Sequence, residues 1–127
     1  MNILNETGLV HLVAENKSGS NLLKTKEKLF LENPNLYKAI SKEAGQDYKT
    51  GTMREIFFIK MIENSGRKVF FSNIGDFVVD GINFEIGGKS KDRKQIKNDM
   101  ANSYVVKDDI LYGSKGEIPL YLFGFLY

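Results

Sequence analysis

Apolar residues recur along this chain with two different periods, and the changes between them mark the elements. Leu9-Val10-His11-Leu12-Val13 is a β-favouring run. The polar stretch Glu15-Asn16-Lys17-Ser18-Gly19-Ser20-Asn21 follows, and Lys28-Leu29-Phe30-Leu31 reads as the returning strand of a hairpin. A helical period then starts at Asn33-Pro34, a good N-cap followed by a residue suited to the first helical position. Leu36, Tyr37, Ile40 and Ala44 carry that period to Gly45, which stops it. A second helix is predicted from about Thr52 to Asn64, ending at Ser65-Gly66 and rich in Met53, Ile56, Phe57, Phe58, Ile59, Met61 and Ile62. Three strands follow, at Val69–Ser72, Asp76–Val79 and Ile82–Ile86, with Asp80-Gly81 as a two-residue turn between the last two. A polar helix over Lys91–Ala101, capped by Ser90, has only Ile96 and Met100 to bury. Ser103–Val106 reads as a fourth strand, and Ile118–Phe123 as a final strand or apolar C-terminal segment. This order predicts an α/β or α+β domain built on one mixed sheet.

The Asp80-Gly81 turn sets a register by counting. Val79 faces Ile82, Val78 faces Asn83, Phe77 faces Phe84 and Asp76 faces Glu85. Phe77, Val79, Ile82, Phe84 and Ile86 then share one apolar face, which supports the same register independently. The other face carries Asp76, Val78, Asn83 and Glu85. Two carboxylates directly opposite each other have Cβ atoms only ~4.5–5.5 Å apart, and like charges that close repel. Protonation, exposure to water or a cation relieves the repulsion. Asp76 and Glu85 are therefore candidate ligands for Mg²⁺ or Mn²⁺, which take few protein carboxylates and complete their shells with water and phosphate. Glu55 falls between Ile59 and Ile62 on the helical wheel, inside the apolar arc. A carboxylate aimed at a core needs a partner. Two partners compete for it: the Asp76–Glu85 site, or a Thr52–Glu55 capping box at the helix start.

Composition removes several chemistries. The chain has 127 residues, no Cys and one His, with 18 basic and 16 acidic side chains for a net charge of +2. A disulfide scaffold, Cys-ligated zinc and a His cluster are excluded. His11, with no partner nearby in sequence, is read as a structural histidine. No apolar run approaches the ~20 residues that span a bilayer, so no membrane partner is expected. No secretory signal is visible either, and the cytoplasm is the expected compartment. Charge is uneven, however. Lys89, Lys91, Arg93, Lys94 and Lys97 crowd one segment against the single acid Asp92. That segment is either a solvated helix face or a surface for nucleic-acid phosphates, with Lys91, Arg93, Lys94 and Lys97 as the contacts. Gly87-Gly88-Lys89-Ser90 is not a nucleotide-binding loop. Asn83 stands where the first Gly of that motif belongs, and Phe84-Glu85-Ile86 lie in a strand where the loop should be. No nucleotide site is expected in this chain.

A helix bearing Glu55, a strand bearing Asp76, a strand bearing Glu85, then a helix and a strand resemble the core of PD-(D/E)XK nucleases, the restriction-endonuclease-like fold. More closely, Leu29–Leu36, Gly51-Thr52-Met53-Arg54-Glu55, Gly75-Asp76-Phe77-Val78-Val79 and Ile118–Phe125 resemble the C-terminal domain of a bacterial and archaeal AAA-type ATPase family. The resemblance implies a restriction-endonuclease-like mixed sheet flanked by helices over residues 34–127, with residues 1–33 as a short hairpin extension like a winged-helix tail. It implies Asp76 and Glu85 as metal ligands and Glu55 as the helix glutamate. The lysine position of its Glu-X-Lys motif holds Gly87, and the nearest lysine, Lys89, is the candidate stand-in. The implied function is a degenerate nuclease-like domain that associates weakly with nucleic acid or with a partner protein, either a second copy or an ATPase half outside this chain. An active Mg²⁺-dependent endonuclease and a self-associating interaction module are the alternatives. With Gly87 unable to supply a positive charge, cleavage barely above background is expected.

Overall fold

The structure, a computed structural model, describes residues 8–15, 27–72, 75–91 and 102–126. The helix expected beyond Lys91, and with it Arg93, Lys94 and Lys97, lies outside the described residues. The elements are β1 (Val10–Glu15), β2 (Glu27–Leu31), α1 (Pro34–Glu43), α2 (Thr50–Asn64), β3 (Phe70–Phe71), β4 (Phe77–Val79), β5 (Ile82–Gly87), β6 (Ser103–Lys107) and β7 (Glu117–Pro119), followed by a 3₁₀ turn at Leu120–Phe125. The apolar end of the chain is thus split between a short strand and a 3₁₀ turn. Proline closes the strand because it has no N–H to give to a ladder.

All seven strands form one mixed sheet in the order β2-β1-β3-β4-β5-β6-β7. The hairpin β1–β2 forms as the alternation predicts, with Leu12 opposite Leu29. It is continuous with the main sheet, because β1 also pairs parallel to β3, Ala14 with Phe70 and Glu15 with Phe71. The pairs β3–β4 and β4–β5 are antiparallel, whereas β5–β6 and β6–β7 are parallel. Asp80 and Gly81 both have positive φ, 51° and 79°, as a two-residue hairpin turn demands. The resulting pairs, Phe77 with Phe84, Val78 with Asn83 and Val79 with Ile82, are those obtained by counting.

The expected apolar face is the core face. Phe77, Val79, Phe84 and Ile86 pack under α2 with Phe58, Ile59 and Ile62, and Ile82 lies at the margin. Phe58 is fully buried. Its ring stacks on Phe77 at 5.6 Å, tilts against Phe84 at 5.3 Å and meets Phe123 edge-on at 5.0 Å. Leu120 and Phe123 of the 3₁₀ turn close the same cluster. Helix α2 is therefore pinned across β4 and β5, which determines where Glu55 and Arg54 come to rest. Its start differs from expectation. The helix begins at Thr50, with Lys49 as an N-cap that makes no side-chain capping bond. Instead the Lys49 N–H donates to the Tyr37 hydroxyl at 3.0 Å, a contact brought from α1. Thr52 lies inside the first turn, so the Thr52–Glu55 capping box does not form and Glu55 is left to other partners. No helix among the described residues is long and apolar enough to cross a membrane.

Candidate carboxylate–lysine centre

The β4–β5 ladder stops at Phe77–Phe84, one pair short of the expected Asp76–Glu85 pair. The Asp76 N–H donates to the Phe84 carbonyl at 2.9 Å, so Asp76 and Phe77 both stand opposite Phe84. Such a two-against-one bulge re-aims a side chain. Here it turns the Asp76 carboxylate along β5, where Oδ2 accepts the Ile86 N–H at 2.7 Å. Asp76 is consequently fixed by its own strand partner.

Glu85 lies on the face opposite the core cluster, in the same strand as Asn83. It is 1% exposed, which for a carboxylate demands a counter-charge. Lys91 supplies it: Nζ lies 3.0 Å from Glu85 Oε1. Glu85 Oε2 is buried and has no hydrogen-bond partner among the described residues. The route taken by Lys91 explains the glycines. A Cβ on Gly87 would meet Lys91 Cγ at 2.5 Å and Cβ and Cδ at 2.6 Å. The Lys91 stem thus lies over Gly87 and delivers its ammonium to Glu85. The turn that permits this is closed by the Lys91 N–H donating to the Gly88 carbonyl at 3.0 Å. Lys89, the expected stand-in, is exposed in that turn, and no ion pair joins it to Asp76 or Glu85 among the described residues. Lys91, expected on the phosphate-contacting patch, instead reaches the carboxylates.

Glu55 of α2 lies within electrostatic reach of Asp76 and Lys91. It is half-buried, and its pKa is raised to about 7 by burial and then by the negative charge of Asp76, against the opposing pull of Lys28 and Lys91. Near neutral pH it is therefore partly protonated. Arg54, its neighbour in sequence, turns the other way. Arg54 Nε donates to Asp108 Oδ2 at 3.0 Å, and the guanidinium packs 3.3 Å from where a Cβ on Gly88 would stand. Gly87 and Gly88 thus accommodate two cationic side chains, one on each. Arg54 was not singled out from sequence. The signal available was the glycine pair itself, placed where a lysine would be expected.

Hard oxygen donors of this kind suit Mg²⁺ or Mn²⁺. The unpaired Glu85 Oε2 and the carboxylate repulsion felt by Glu55 both fit a cation that would relieve them. Among the described residues no three His, Asp or Glu side chains gather closely enough to enclose a metal by themselves. A site here therefore depends on one or two carboxylates, with water or phosphate filling the rest of the shell.

His11 lies well away from this chemistry, in a network of its own. Its Nε2 lies 3.0 Å from Glu32 Oε2, its Nδ1 lies 2.5 Å from Glu63 Oε2, and Lys60 pairs with Glu32. Burial pulls the His11 pKa down, but the Glu63 hydrogen bond, the Glu32 backbone and both carboxylate charges outweigh it, and the pKa is raised. His11 thus ties β1 to α2 and to the β2–α1 connection, a structural role. No family model matches the chain, and neither a curated protein nor a solved structure matches it.

Proposed function

We propose that this chain is a PD-(D/E)XK nuclease-like domain that hydrolyses phosphodiester bonds of nucleic acid at the Asp76–Glu85–Lys91 centre, with a divalent cation. The order of α2, an antiparallel three-strand meander and then β6 supports the restriction-endonuclease-like reading of the sheet. The single observation that carries the functional reading is the Lys91–Glu85 contact. The expectation of near-background cleavage rested on Gly87 and on the remoteness of Lys89. Lys91, reaching over Gly87, supplies the positive charge that was missing.

Asp76 and Glu85 would hold Mg²⁺ or Mn²⁺, Glu85 through its unpaired Oε2. The cation's contribution when bound is to polarise the phosphate and to lower the pKa of an attacking water. Lys91 holds a fixed ammonium beside the same carboxylate, where it stabilises negative charge developing on the phosphate oxygens. Losing one such preorganised group typically costs ~10²–10³ in rate. Glu55, with a pKa of about 7, can accept or release a proton at its carboxyl near neutral pH. The Ile86 N–H keeps Asp76 oriented.

A second reading, a degenerate domain that binds nucleic acid or a partner without turnover, is favoured by one observation. Glu85 is already neutralised by Lys91, and no three-ligand group encloses a metal among the described residues. The cytoplasm is the compartment that fits either reading, and the partner is an ATPase half or a second copy. Incubating the purified protein with plasmid and single-stranded DNA, with and without Mn²⁺, separates the two. Mn²⁺-dependent cleavage lost on Asp76→Asn supports hydrolysis, whereas binding without any cleavage supports the degenerate domain.

A further inference from the structure

A second feature flanks the same Gly87-Gly88 turn. A cavity of about 460 Å³ opens between α2, the segment before it and the 3₁₀ turn. Met53, Phe57 and Leu120 give it an apolar lining, Tyr48 and Tyr121 stand in its walls, and the Arg54–Asp108 ion pair forms a polar edge. This is the volume and the chemistry of a small-ligand site: mostly apolar, with a few polar groups to fix orientation.

Three observations identify the occupant. First, both tyrosines are presented rather than buried. Tyr48 is 42% exposed and Tyr121 47% exposed. The Tyr121 ring is nevertheless held, because its hydroxyl donates to the Leu111 carbonyl at 3.0 Å. A fixed aromatic ring with open surface is a platform on which a base can stack. Second, Tyr48 also lines an adjoining cavity of about 310 Å³ together with Lys38 and Lys42, against one acid, Asp47. Lys38 Nζ sits 5.1 Å above the Tyr48 ring. The path leading away from the first cavity is therefore cationic, as a phosphodiester backbone requires. Third, Arg54 links the cavity to the centre. Its guanidinium packs on Gly88, while the Lys91 stem packs on the adjacent Gly87.

We infer that this cavity takes one unstacked base of single-stranded nucleic acid, with its backbone running past Lys38 and Lys42. A base within a duplex enters a side pocket of this kind only at the cost of unstacking and unpairing, so single strands are preferred. The inference rests on the nuclease-like reading for its ligand class, but it concerns binding and not cleavage.

The test uses a fluorescently labelled 20-nucleotide oligo(dT) and a duplex of the same length, titrated by anisotropy in EDTA so that no cleavage intervenes. Wild type is expected to bind the single strand roughly tenfold more tightly than the duplex, the scale of one base stacked on an aromatic side chain. Tyr121→Leu and Tyr48→Leu should each remove most of that preference and leave duplex binding unchanged. Tyr121→Phe, which keeps the ring, should retain it. Circular dichroism establishes that each variant is folded. Asp76→Asn should keep the strand preference even where it removes cleavage, so the two readings fail separately. Equal affinity for the two forms would overturn the inference. So would folded leucine variants that bind oligo(dT) like wild type. No DNA binding at all would overturn it too, and would leave the cavity to a peptide ligand.

Discussion

Replacing Glu55 by Gln should stabilise the protein in mild alkali and leave it nearly unchanged in mild acid. Gln has the shape of the protonated carboxyl and cannot ionise. In wild type the Glu55 pKa rises from 4.5 to about 7, because burial and the charge of Asp76 disfavour the carboxylate. The sign follows from linkage. A raised acid pKa means that the folded state holds its proton more tightly than the unfolded state does. The cost of ionising Glu55 is absent below pH 4.5, grows between pH 4.5 and 7, and is constant above. At 1.36 kcal/mol per pKa unit, a shift of this size amounts to about 3 kcal/mol at most. Partial exposure screens some of it, so a gain of roughly 1–3 kcal/mol is expected for Glu55→Gln at pH 8. Urea unfolding of both proteins at pH 5, 6, 7 and 8 measures the difference. His11 is common to both and cancels. A difference that stays flat across this range, or a variant less stable than wild type at pH 8, would refute the placement of Glu55 beside Asp76.

Three further outcomes follow from the same geometry. Gly87→Ala places a methyl group on the Lys91 stem, where contacts of 2.5–2.6 Å force the lysine aside, and Mn²⁺ binding measured by calorimetry should change while the thermal transition moves little. The His11 pKa is raised, so its stabilisation is complete below pH 6.5 and is lost as pH rises through the raised value; the stability lost on His11→Gln, read by urea unfolding, should therefore be largest below pH 6.5 and shrink as pH rises past the raised pKa. DNA binding should weaken with salt by a slope of roughly −0.9 in log affinity per phosphate contact, and changing Arg93, Lys94 and Lys97 together to Ala should flatten that slope, whereas an unchanged slope would show that these residues only meet solvent.

Much of this molecule was legible in local sequence, and the remainder depends on contacts between distant segments. The β4–β5 register was legible because Asp80-Gly81 accepts two positive φ angles and because the alternation from Phe77 to Ile86 permits only one pairing that buries its apolar face. Glu55 could be named because it breaks an apolar arc, and Asp76 and Glu85 because the counted register set two carboxylates opposite each other. The start of α2 was misplaced because its N-cap, Lys49, makes no side-chain cap and gives its own N–H to Tyr37 on another helix. The parallel pairing of β1 with β3 joins segments more than fifty residues apart, which no local period reports. The bulge at Asp76 broke the register one residue before the pair that mattered. Lys91 was read as a surface charge because basic runs usually are. Only the fold shows that its stem crosses Gly87. The His11 network is of the same kind: Glu32 and Glu63 are remote in sequence and reach His11 from the end of β2 and from α2.

The most direct test is the rate of Mn²⁺-dependent DNA cleavage by wild type, Asp76→Asn, Lys91→Met and Lys89→Ala, measured on the same substrate. Met preserves the Lys91 stem over Gly87 and removes only the ammonium that sits 3.0 Å from Glu85. The expected result is cleavage by wild type and by Lys89→Ala, none by Asp76→Asn, and a rate lowered by roughly 10²–10³ in Lys91→Met. Wild type that binds DNA without cutting it, or a Lys91→Met variant that cuts as fast as wild type, would contradict the assignment of Lys91 as the working lysine of this centre.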